Sequence, residues 1–262
     1  MKPDRARIVA INVAVVAVVV LFVYGAQLTE FNPVTLAKGL PSLWNLVKEF
    51  IRPDLSAAWV RTALAGMGLT LVMAALGTAV AVVISFPLSF LGARNVVGNH
   101  PAGRAVYWFV RGIFNLFRTL DTMVLAIVFV AAVGIGAFPG VLAIIVHSIG
   151  YLGKLFSEAI EEADAGIIEA VEATGASPLQ VIRFGILPQV SPYFLGFTLF
   201  RMDANVRMST VLGLVGAGGI GYYLREQIQL FEYAKAGTIL WEIGLVVAAF
   251  DALSAYVRHR MR

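Results

Sequence analysis

The chain has 262 residues, 59% of them hydrophobic and only 14% charged, with a mean hydropathy of +0.83. An average soluble domain is about 25% charged, so this chain lacks the polar surface to cover a water-facing core, and its excess apolar mass is expected to face lipid. The net charge of +4 and pI near 9.5 do not point to nucleic acid, because the basic residues sit between apolar blocks and form no single stripe.

A helix crossing a bilayer needs about 20 apolar residues, and six stretches qualify: 8–28, 62–91, a span within 105–133 whose apolar part starts near Thr122, 138–156, 193–215 and 236–257. The first follows Met1-Lys2-Pro3-Asp4-Arg5-Ala6-Arg7, as a secretory signal would. It is long for one, and Tyr24-Gly25-Ala26 is a poor cleavage site, so it reads as a retained span. Residues 29–61 form an extracytoplasmic connection containing Pro33, Pro41 and Pro53. Within it, 43–51 has helical apolar spacing, which suits either an interfacial helix or one packed on other loops.

Lysine and arginine set the orientation. With the N-terminus inside, the inner segments hold Lys2, Arg5, Arg7, Arg94, Arg104, Arg111, Arg118, Lys154, Arg183, Arg258, Arg260 and Arg262. The outer ones hold Lys38, Lys48, Arg52, Arg61, Arg225 and Lys235. This excess implies that both termini are inside and that the spans are even in number. The fold class is therefore an all-α membrane protein with about six transmembrane helices, in one domain over 1–262.

Residues 157–190 break the apolar pattern. Their first part is rich in Ala and Glu and reads as a helix. Gly175 can end that helix in a left-handed conformation. Ser177 can cap a second helix with Pro178 at its first position, which Gln180, Val181 and Phe184 continue and Pro188 is expected to stop. The product is a cytoplasmic helix-turn-helix elbow.

Glu169-Ala170-Val171, Gly175 four residues later, and Leu187-Pro188 resemble the EAA loop of ABC importer permeases: E-A-A, three residues, G, nine residues, I, one residue, L-P. Two positions depart, Val171 for the second alanine and Gly185 for the isoleucine. Val133-Gly134-Ile135-Gly136, Leu152-Gly153-Lys154-Leu155-Phe156-Ser157-Glu158, Arg183-Phe184-Gly185-Ile186-Leu187-Pro188-Gln189 and the stretch from Arg201 to Gly221 are similar to the phosphonate-type branch. Asp121 stands where that likeness leads one to expect proline. The resemblance implies a type I ABC importer permease fold in the bacterial inner membrane. It implies an elbow that docks on a cytoplasmic ATPase through Glu169, Ala170, Gly175, Ala176, Ser177, Pro178, Leu187 and Pro188. The implied partners are a second permease copy, two ABC ATPase subunits and an extracytoplasmic substrate-binding protein. This chain would bind no cofactor, ATP and Mg being held by the ATPase. The implied function is import of phosphonate- or phosphite-type anions. A permease of the same class for another solute, such as methionine, and an ion-driven secondary transporter are the alternatives.

Charges inside the fifth span need a reason, since each costs about 2.5–3.5 kcal/mol at mid-bilayer. Asp203 and Arg207 are four apart and can pair, while Arg201 and Asn205 share a different face. The four suit either a path for an anion or an ion-pair lock between helices. Glu242 is a further buried acid that could partner an arginine, and Asp251 lies nearer the inner end of its span.

Gly216, Gly218, Gly219 and Gly221 fit the dinucleotide spacing G-x-G-x-x-G, but no βαβ context surrounds them. They read better as an outer gate or re-entrant turn. Lys154 is followed by Leu155, so there is no Walker A motif, and the chain is expected to be a non-catalytic subunit. The chain has no cysteine and no metal-ligand spacing among His100, His147 and His259. His147 beside Ser148 is the sole local nucleophile-base pair, and helix geometry points the two apart.

Overall fold

The computed structural model describes residues 5–98 and 100–260, without the side chains of 5–10, 253 and 255–260. Lys2 and Arg262, and the side chains of Arg5, Arg7, Arg258, His259 and Arg260, thus lie outside the described residues. Every regular element among the described residues is helical. The chain divides into two compact units, Met1–Glu49 and Phe50–Arg262.

The first unit holds α1 (Arg5–Leu28) and most of α2 (Pro33–Ile51). α1 is apolar on every side, and Val18, Leu21 and Phe22 are exposed, as a lipid-facing span requires. α2 starts where Asn32 Oδ1 accepts the Val34 N–H at 2.9 Å, with Pro33 as its first residue. It is longer than the 43–51 segment read from spacing, because Pro41 stays inside the helix.

In the second unit α3 (Ala57–Leu91) is the spine, 35 residues and about 52 Å long. Gly66, Thr70, Ala74, Gly77, Ala81 and Ser85 are buried along it. Small residues at that spacing let neighbouring helices approach closely, the packing mode that works where lipid tails are as apolar as leucine. Three apolar clusters stack along this spine. At one end Ala63 and Met67 meet Ile220 and Ile239. In the middle Met73 meets Leu125, Ile144 and Leu212. At the other end Ala81 and Phe90 meet Phe114, Phe156, Ile186 and Phe194.

After α4 (Arg94–Val97), α5 (Pro101–Thr119) and α6 (Thr122–Val133) replace one straight span with a pair bent by 88°. α5 packs on α7 (Ala137–Glu161), with the Phe114 ring against Gly153. The break has a physical cause at each side. Asp121 Oδ1 caps α6 by accepting the Met123 N–H at 2.7 Å, and the Leu120 carbonyl is held by His147 Nδ1 at 2.8 Å. Arg118, grouped with the inner segments by sequence, sits beside Gly150 halfway along α7.

Next come α8 (Ala165–Glu172), the short turn α9 (Pro178–Gln180) and a wide π turn at Val181–Ile186. They lead into α10 (Leu187–Leu212), a 3-10 turn (Gly213–Val215), α11 (Ile220–Gln229) and α12 (Tyr233–Arg260). Among the described residues α1, α3, α7 and α12 are long and apolar enough to cross a membrane, and the bent pair makes a fifth if it counts as one broken span. α10 has 26 residues, a sufficient length, but its charged residues keep it out of that apolar set. Counting α10 as a span as well would bring the number to the expected six. Asp54 pins the connection before α3 to the start of α12: its N–H bonds Ala234 O and its carbonyl accepts from Thr238. The Ser56 N–H donates to its carboxylate at 2.9 Å, which holds that carboxyl below its ordinary pKa.

Candidate functional site

The elbow is built as its residues dictate. Asp164 Oδ1 caps α8 by accepting from Gly166 N–H at 2.8 Å. Gly175, with φ +81°, turns the chain after α8. Ser177 is the cap of α9, Pro178 its first residue, and Gln180 Oε1 accepts the Ser177 N–H at 2.7 Å. Ala170 is exposed and Ala176 half-buried in the outer part of the elbow.

Pro188 does not end a helix, contrary to the reading from sequence. The π turn shifts the hydrogen-bond frame just before it, so its missing N–H falls in the first turn of α10. Leu187 and Pro188 thereby join elbow and span into one helical run from Pro178 to Leu212. Gln189 straps the run to the elbow, accepting from the Asp164 N–H at 2.9 Å and donating to Gly185 O at 2.7 Å.

The two departures from the EAA pattern meet in space. A Cβ on Gly185 would stand 3.7 Å from Val171 Cγ2. The larger side chain at one position fills the room left by the smaller one at the other.

In α10 the polar residues separate by face, because positions two apart lie about 200° round a helix. Arg201 and Asn205 turn toward α3 and α7. Arg201 Nε donates to Ser148 Oγ at 3.0 Å, and Asn205 Nδ2 donates to Ser148 Oγ at 2.9 Å and Thr78 Oγ1 at 2.8 Å. The guanidinium lies over the Tyr151 ring at 5.0 Å. Arg201 is 6% exposed, and its Nη2 and Asn205 Oδ1 have no partner among the described residues. It forms no ion pair there either, so the suggested bond with Glu242 is not made. Asp203 and Arg207 turn the other way. Arg207 bridges Asp203 at 2.7 Å and Asp251 at 2.8 Å, tying α10 to α12.

Sequence reading missed Thr78 as a partner and met Ser148 only as a poor nucleophile. The signal was there in principle, as hydroxyls inside apolar spans. His147 and Ser148 do point apart, His147 to Leu120 O and Ser148 to α10.

The glycine turn is buried between α3 and the start of α7. Gly216, Gly218 and Gly219 have φ of +89°, +77° and +76°. Thr70 Oγ1 accepts the Ile220 N–H at 2.8 Å, and the Gly136 N–H bonds Gly216 O at 3.0 Å. Gly221 touches the Thr210 carbonyl so closely that a side chain has no room. A helix does follow these glycines, but a helical run precedes them, so the strand of a dinucleotide site is absent here. Gly153 and Lys154 lie inside α7 and form no phosphate loop.

Residues 87–262 match the family model described as binding-protein-dependent transport system inner membrane component. Over 255 residues the chain is 43% identical to the putative phosphite transport system permease protein HtxC of Stutzerimonas stutzeri, covering 97% of this chain and 87% of that protein. It is 42% identical over 230 residues to the phosphite transport system permease protein PtxC of the same organism, covering 87% and 81%. A chain of the MetNI methionine ABC transporter in an inward-facing conformation superposes with a TM-score of 0.68 at 24% identity, covering 79% of this chain and all of that one. That likeness is one of fold.

Proposed function

The chain belongs to the binding-protein-dependent transport system inner membrane component family, and we propose that it is the membrane-spanning permease of an ATP-driven importer for phosphite- and phosphonate-type anions. It is a multi-pass membrane protein, placed in the bacterial inner membrane with both termini inside. Two copies form the path, an external binding protein delivers the anion, and two cytoplasmic ATPases holding ATP and Mg drive the cycle. This subunit carries no catalytic group and no cofactor of its own.

The likeness to phosphite permeases along nearly the whole chain supports the solute class. The observation that carries the path is Arg201, a buried guanidinium with neutral partners and one open nitrogen. An unbalanced cation inside a span attracts an anion, and a guanidinium matches its oxygens. Asn205 holds Arg201's neighbour Ser148, while Asp203 and Arg207 serve as the lock between α10 and α12. Glu169, Ala170, Gly175, Ala176, Ser177 and Pro178 present the elbow to the ATPase. Leu187 and Pro188 carry its motion into α10, which ends at the Gly216–Gly221 turn, the outer gate. A push on the elbow thus tilts one continuous lever, a hinge type of transition.

Uptake of labelled phosphite in cells lacking other phosphite carriers tests the path. Arg201→Met is expected to cut uptake at least about tenfold with the protein still present in the membrane, and Arg201→Lys to retain part of it. Full uptake by Arg201→Met places the path elsewhere. Competition by methionine in place of phosphonate would turn the solute assignment to the other member of the class.

A further inference from the structure

A second polar site lies beyond the end of α3, outside the proposed path. Arg94, Val97, Gly98, Arg104, Tyr107 and Trp108 line a depression of about 230 Å³. Neither arginine makes an ion pair among the described residues. Arg94 lies over the rings of Tyr107 at 4.9 Å and Trp108 at 5.9 Å. A guanidinium held by its face keeps its N–H edge available to an oxyanion. The walls are fixed, because Gly103 of α5 touches the Val97 carbonyl of α4 and leaves no room for a side chain.

The surroundings say what kind of oxyanion fits. Beside the depression α5 exposes Val106, Trp108 and Phe109 at 40, 62 and 69%. Unpaired arginines next to an exposed tryptophan and apolar side chains are the composition of a membrane–water interface. The site lies at the elbow's end of the bundle: the Arg94 N–H donates to Glu161 at 2.9 Å, and Asn95 Nδ2 donates to Ile160 O at 2.6 Å, just before α8.

We propose that this depression binds the phosphate headgroup of an anionic phospholipid. Arg94 and Arg104 take the phosphate oxygens, and Trp108 and Phe109 lie along the upper acyl chain. The apolar wall selects a lipid over free phosphate. Its placement in the inner leaflet rests on the topology proposed above; the binding itself does not. Because α4 clamps the end of α7 from which the elbow springs, an occupied site steadies the elbow's base.

Native mass spectrometry of the detergent-purified chain, titrated with phosphatidylglycerol, phosphatidylcholine or inorganic phosphate, tests this without any ATPase or transported solute. Wild type is expected to retain phosphatidylglycerol about tenfold over phosphatidylcholine. Arg94→Gln with Arg104→Gln should bring that ratio near one, and Arg61→Gln, an exposed arginine at the other end of α3, should leave it unchanged. The Arg104 side chain makes no hydrogen bond or ion pair among the described residues, so Arg104→Gln alone carries the test if the double variant unfolds, with a fall of about threefold. Equal retention of the two lipids by wild type overturns the proposal. So does a preference untouched by Arg104→Gln, or displacement of the lipid by inorganic phosphate.

Discussion

At the scale of single residues, Val171 and Gly185 show how a motif can be kept while its letters change. The Val171 side chain borders the space that a side chain at 185 would enter, so the two departures act together. Gly185→Ile alone is expected to overpack and destabilise by about 1–3 kcal/mol. Adding Val171→Ala should recover much of it, a coupling that a double-mutant cycle in thermal unfolding would read; strict additivity would contradict shared packing. Thr70 is a second such residue. Its hydroxyl is the acceptor for the buried Ile220 N–H, so Thr70→Val should cost about 1–3 kcal/mol by leaving that donor unpaired. An unchanged melting temperature would mean that the glycine turn does not depend on α3. The spacing of Asp203 and Arg207 made their bond legible in the sequence. The partners of Arg201 and Asn205 were not, because Ser148 and Thr78 come from helices 53 and 127 residues away from their α10 partners, and no local pattern records such pairing.

At the scale of elements, the bend between α5 and α6 explains why aspartate can stand where proline was expected. Asp121 has φ −62°, and Leu120 before it is extended with ψ 120°, both compatible with proline at 121. Asp121→Pro trades a cap for a stiffer chain and should shift stability by no more than about 1 kcal/mol. Asp121→Ala loses the cap without that return and should cost about 1 kcal/mol; thermal melts of both variants check the order. Span positions could be read from apolar length alone. The bend could not, since an apolar run looks the same whether straight or broken. The passage through Pro188 was hidden for a related reason: a π turn is set by how α10 packs, while the sequence shows only a residue that commonly ends helices. The Gly175–Ser177–Pro178 turn was legible because capping chemistry is local; the start of α2 at Asn32 and Pro33 follows the same chemistry but was not read.

At the scale of the whole molecule, the proposed function makes a lever of the run from Pro178 to Leu212: a motor outside this chain would move the elbow, and α10 would carry that motion past Arg201 to the glycine turn. Glu169 is exposed, so Glu169→Lys should leave the chain folded and remove only its partner, whereas Gly175→Arg also strains the left-handed turn and should reshape the elbow locally. The most direct measurement is a pull-down of the detergent-solubilised chain from its native membranes, beside Glu169→Lys and Gly175→Arg, scored for a co-purifying ATPase by mass and by ATP hydrolysis. The account predicts that wild type brings the ATPase down and that both variants lose it. A wild-type chain that purifies alone, yet drives uptake from an ion gradient, would contradict it.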